Sequence, residues 1–169
     1  MKILISACLL NEPVRYDGQG NAPQDQAVWQ RIQQWQQQGL LVPVCPELLG
    51  GLPVPRPPAE IIASSNDDVD GHDVLAGSAQ VMTDSGKDVS TEFINGAKQT
   101  LRIAQQHQTQ VALLAARSPS CGSGLIYNGE FSGDLITGSG VTVALLEQQG
   151  IRCFSPEQLS ALQRHLQQA

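Results

Sequence analysis

The 169-residue sequence has no apolar run that could cross a bilayer. Its longest, Leu40–Val44 and Val111–Ala116, fall far short of the roughly 20 residues a spanning helix needs. No secretory leader is expected either. Met1-Lys2 leads straight into Ile3-Leu4-Ile5, too short for a signal core and without a cleavage signature. The expectation is a cytoplasmic protein with no membrane partner. Basic clusters are equally scarce: ten Lys and Arg are scattered along a chain of net charge −6. Nothing here could neutralise a phosphate backbone, which argues against nucleic acid as the main partner. A small anionic ligand remains open, since backbone amides and one or two Arg suffice for it. Internal repeats and an interdomain linker are also absent, so residues 1–169 read as one domain, long enough to bury a core.

What the chain does contain is strands alternating with helices. Lys2–Ser6, Leu40–Val44, Val111–Ala116 and Ile151–Phe154 are short and apolar, as buried strands are. Gln24–Gln38 places Val28, Ile32 and Trp35 on one face before Gly39 stops it. Val89–His107 turns Phe93, Ala97, Leu101 and Ala104 inward, with Asp88 or Ser90 as its cap. Val141–Gln149 is a third helix. Ser155-Pro156 opens a last one, with Gln158 completing a capping box. Cys45–Pro58, rich in Pro and Gly, reads as a shaped loop without regular structure. Asp67–Asp73 reads as a solvated loop, and a short hairpin fits around Tyr127–Phe131. The pattern indicates an α/β fold: a Rossmann-like, doubly wound, mostly parallel sheet.

Four cysteines in a reducing compartment point to metal binding, catalysis or burial rather than disulfides. Cys8, Cys45 and Cys121 each follow a predicted strand, and ligands of open parallel sheets bind beyond the strands' carboxyl ends. Three thiols distant in sequence can therefore converge at one rim. Such a set could hold zinc or a cluster, or remain free. Cys153 lies inside a strand and reads as a small buried hydrophobe. Glu47, two residues after Cys45, is suited to moving protons or to capping an amide in its own loop. Ser118-Pro119-Ser120-Cys121-Gly122 sets two hydroxyls beside a thiol. Thr137-Gly138-Ser139-Gly140 opens a helix, so the amides at Ser139 and Gly140 could take a phosphate or serve only capping and packing. Arg15 and Arg56, in loops after strand ends, could meet a phosphate or a ring carbonyl, or pair with nearby acids. Tyr16 could stack on a ring. His72, His107 and His165 sit in a polar loop or near helix ends and receive no role. None is near a cysteine loop, which argues against Cys121 as a histidine-activated nucleophile.

The blocks ISACLL (5–10), VRYDG (14–18), PVCPELLGGLP (43–53), PRPPAEI (55–61), SPSCG (118–122), GEFSG (129–133) and GSGVT (138–142) resemble those of the thiouracil desulfidase family. They occur in order across nearly the whole chain. The resemblance implies a 4Fe-4S cluster held by Cys8, Cys45 and Cys121, with one iron open to a thiocarbonyl sulfur. It implies Glu47 and Ser118 as the proton-handling residues. The implied substrate is a thiolated pyrimidine, free as thiouracil or as a nucleotide such as 4-thiouridine monophosphate. Ala115 departs from the lysine many relatives carry three residues before the first serine of SPSC, which bears on substrate identity. A non-catalytic metal- or cluster-sensing protein is the alternative reading.

Overall fold

The computed structural model describes residues 1–65 and 67–168; Asn66 and Ala169, both within the span expected to form one domain, lie outside the described residues. Four parallel strands form the central sheet: β1 (Ile3–Ser6), β2 (Leu41–Val44), β5 (Val111–Leu113) and β8 (Arg152–Phe154), in the order β2-β1-β5-β8. Ile3, Leu4 and Ile5 of β1 and all of β5 are buried. Strands covered on both faces read as continuous apolar runs, which is why the sequence exposed them.

From β1 the chain crosses through α1 (Gln26–Gln37) to β2 on one side. From β5 it crosses through α5 (Val141–Gln148) to β8 on the other. Right-handed crossovers in opposite directions put their helices on opposite faces of the sheet. The winding reverses between β1 and β5, and the carboxyl ends of these two strands open a crevice there. The doubly wound expectation holds, with α4 (Ser90–Gln106) leading into β5 and α6 (Leu159–Gln168) following β8.

Two regions differ from the sequence reading. The Cys45–Pro58 stretch contains one helical turn, α2 (Pro46–Leu49), with Cys45 at its N-cap and Pro46 in its first turn. Proline at that position donates no hydrogen bond and is already set for the helix. Asp67–Asp73 is not simply a solvated loop, because Asp70 starts α3 (Gly71–Ala76). The Asp70 carboxylate accepts the amide of His72 at 2.9 Å, and Asp73 returns to accept the amide of Asp70 at 2.9 Å. A two-stranded antiparallel ladder, β3 (Ala59–Ile62) with β4 (Gln80–Thr83), was not foreseen; the hairpin β6 (Leu125–Tyr127) with β7 (Leu135–Thr137) was.

The main core gathers the sheet, α1 and α6. A second apolar cluster lies under β3–β4 and joins Ile61, Val81, Val74 of α3, Phe93 of α4, Ile126 and Val141. It ties the added hairpins to the helices beside the sheet. Asp70 belongs to that tie, since its other carboxylate oxygen accepts the amide of Ser139 at 3.1 Å. Asp70→Ala should cost about 1–2 kcal/mol as a lost cap, read as a fall in Tm of about 2–8 °C for a chain of this size. Asp70→Ser, which keeps a capping oxygen, should recover part of it.

Candidate active site

The crevice between β1 and β5 widens into a cavity of about 700 Å³, lined by Cys8, Cys45 and Cys121 together with Glu47, Ser118, Arg15 and Arg56. Cys8 sits in a single 3-10 turn, Ala7–Leu10, directly after β1. Cys45 is the residue after β2. Cys121 ends a tight turn in which Ser118 Oγ accepts its amide at 2.7 Å and the Ser118 carbonyl accepts that of Gly122 at 3.0 Å. All four cysteines are free thiols. Cys153 is buried in β8, outside the cavity.

Each of the three sulfurs has polar company. Asn21 lines the cavity with Cys8 and favours its ionised form. The Cys121 thiol donates to Ser120 Oγ at 3.8 Å, and that of Cys45 to the Val14 carbonyl at 3.9 Å. Burial nevertheless dominates. It pushes Cys8 up to about 11, with the neighbouring Cys45 and Glu47 adding to it. It pushes Cys121 up to about 12, with Glu47 and Cys8 adding to it. Cys45 is also raised, by burial first. Like charges repel at short range, and Cys45 acts on Cys8 and Cys8 on Cys121 in this way within the cavity that all three line. Among the described residues, no three His, Cys, Asp or Glu side chains are arranged to hold a single metal ion. The donor set is three soft thiols around an open volume, which suits an iron–sulfur group.

Glu47 is held by Arg56. Both Nε and Nη2 of the guanidinium donate to Glu47 Oε2, while Nη2 also donates to the Val14 carbonyl at 3.0 Å and Nη1 to that of Pro53 at 3.2 Å. The two side chains are only 6% and 16% exposed. Burial raises the Glu47 carboxyl, and Arg56 opposes that rise. The guanidinium is thereby committed to the carboxylate and two loops rather than to a ligand, contrary to the substrate-binding expectation for Arg56.

A family model described as 2-thiouracil desulfurase matches residues 3–158. The chain belongs to the 2-thiouracil desulfurase family. Its fold matches the solved structure of a [4Fe-4S]-dependent thiouracil desulfidase, TudS, with a TM-score of 0.84 and 41% identity over 99% of each chain. It is also 45% identical over 158 residues to the uncharacterized protein YbbK of Bacillus subtilis strain 168, covering 94% of this chain and 97% of that one. The family indicated by the motif blocks is thus the one found.

Ser139 and Gly140 do not reach the cavity of this desulfurase-family chain. The Ser139 amide is taken by Asp70, that of Gly140 by the Gly122 carbonyl at 2.8 Å, and those of Val141 and Thr142 by Pro119 and Ser120 at 2.7 and 3.0 Å. The start of α5 is filled by the Cys121 turn, leaving no amides for a phosphate. A Cβ on Gly140 would meet the Ser120 carbonyl carbon at 2.4 Å, so that glycine serves close packing. Ser6 and Asn21, which also line the cavity, were not singled out in the sequence, where lone polar residues near strand ends carry no distinguishing pattern.

The raised thiols have a consequence for the metal-free chain. In the unfolded state a thiol titrates near its ordinary value of 9.0; in the folded state it holds its proton to about 11 or 12. Between those values the folded state binds more protons, so stability present below pH 9 is lost as pH rises through 11. Melting curves of metal-free protein across pH 8–11 should show this decline, and Cys8→Ser should flatten it. An unchanged slope would contradict the burial argument.

Proposed function

We propose that this chain is a 4Fe-4S-dependent desulfidase that replaces the sulfur of a thiolated pyrimidine with oxygen. The observation that carries the reading is the meeting of three thiols with an Arg56-held carboxylate in one cavity. Cys8, Cys45 and Cys121 would hold the cluster, and three protein ligands leave one of its four irons open. When bound, that iron supplies a Lewis acid for the thiocarbonyl sulfur. The net change, C=S plus water to C=O plus hydrogen sulfide, is without oxidation or reduction.

The side chains supply the rest. Arg56 pins one oxygen of Glu47, leaving Oε1 to accept a proton from the attacking water. Burial makes that carboxylate more basic than in water, the direction a general base needs. Ser118 accepts the Cys121 amide through its oxygen and so keeps its hydroxyl proton for donation. With Arg56 committed, Arg15, which lines the cavity together with Lys87 and Arg117, is placed to meet a ring carbonyl or a nucleotide phosphate; its own pairing, with Asp17 at 3.6 Å, is exposed and weak. Four free cysteines suit a reducing cytoplasm.

The deciding experiment is anaerobic reconstitution followed by sulfide release from 2-thiouracil and from 4-thiouridine monophosphate. Cys121→Ala should lose both the brown chromophore and turnover. Glu47→Ala should keep the chromophore while kcat falls about 10²- to 10⁴-fold, the usual worth of general acid–base help. A colourless, zinc-loaded wild type would end the reading, and a fully active Glu47→Ala would remove the carboxylate from the chemistry.

A further inference from the structure

Glu60 is an acidic residue on β3 and only 8% exposed, yet it forms no ion pair among the described residues. Its Oε1 instead accepts two backbone amides from the tip of the β6–β7 hairpin: Gly129 at 3.0 Å and Phe131 at 3.2 Å. Hydrogen bonds to an ionised carboxylate are about twice as strong as neutral ones. The tip is therefore fastened to β3. Contact is close, since a Cβ on Gly129 would lie 2.6 Å from the Ile61 carbonyl oxygen.

The fastening imposes a backbone that the residue itself resists. Phe131 has φ +54°, the left-handed region that bulky side chains rarely adopt. Such strain persists only where surrounding structure enforces it, and it concentrates at binding sites. Phe131 is also 37% exposed while lining the cavity that holds the three thiols. A large apolar ring kept half in water at a site's edge, at a conformational cost, is placed for a ligand rather than for the core.

We infer that Phe131 is the stacking platform for the pyrimidine ring and that Glu60 is the positioning residue that holds it over the cavity. This rests on the desulfidase reading for the identity of the ring, and adds which residues recognise it. Aromatic stacking accepts any pyrimidine π-face, so the platform would grip product as well as substrate. It would therefore act on binding of both more than on the chemical step.

The test is equilibrium binding of uracil and 2-thiouracil to the anaerobically reconstituted protein, beside KM and kcat for sulfide release. Phe131→Leu should raise both dissociation constants about tenfold with kcat within twofold and the cluster absorbance unchanged. Phe131→Tyr should bind like wild type. Glu60→Ala should weaken binding as Phe131→Leu does, Glu60→Gln should restore it through its amide oxygen, and the Glu60→Ala/Phe131→Leu pair should be no weaker than the worse single variant. Should Glu60→Ala not fold, the Phe131 variants decide alone. Turnover and wild-type affinity retained in Phe131→Leu would overturn this inference and leave the desulfidase reading intact. A reconstituted wild type that binds neither pyrimidine would overturn both.

Discussion

The loop that carries Cys121 rests on the first turn of α5. The amides of Val141 and Thr142, unpaired within their own helix, donate to Pro119 and Ser120 just before the thiol. The hydroxyls of Ser120 and Thr142 add a buried bond of 2.9 Å. Helix starts always leave amides seeking acceptors. Here the acceptors are the two carbonyls just before Cys121, the cavity cysteine that lies farthest along the chain from its strand. The other two thiols need no such support, because the strand ends deliver them. The convergence at the rim therefore depends on this seam between a loop and a helix start.

Charge in the cavity follows the same economy. One guanidinium serves Glu47 and the carbonyls of Val14 and Pro53, so it fastens two loops to α2 while orienting a carboxylate. A buried acid without its partner would be costly, and losing one member of such a pair exposes that cost. Glu60 solves the same problem differently, with amides in place of a cation. The two acids hold their surroundings through opposite kinds of donor.

Much of this was legible in the sequence because it is written in local rules. The apolar runs Ile3–Ile5 and Val111–Leu113 marked the sheet, and the periodicity of Phe93 and Ala97 marked α4. The placement of three cysteines after three strands followed from topology alone. What stayed hidden depends on partners far along the chain. Residues 137–141 look like an anion site by composition, yet the Cys121 turn and Asp70 occupy it. Arg56 looks like a ligand-binding cation until its four acceptor contacts are seen. Strands β3 and β4 pair across an intervening helix, and Asp70–Asp73, a polar string, becomes a cap only when α3 forms.

A last consequence lies in the protonation of the thiols. At neutral pH the metal-free protein would carry uncharged sulfhydryls at the rim, since burial holds Cys8 and Cys121 at about 11 and 12. Neutral thiols are poor nucleophiles and poor metal ligands. Seating a metal group there must expel their hydrogens into solvent, so assembly is coupled to acidity and proceeds more readily as the medium becomes alkaline. While the protons stay on, burial keeps these thiols weakly nucleophilic.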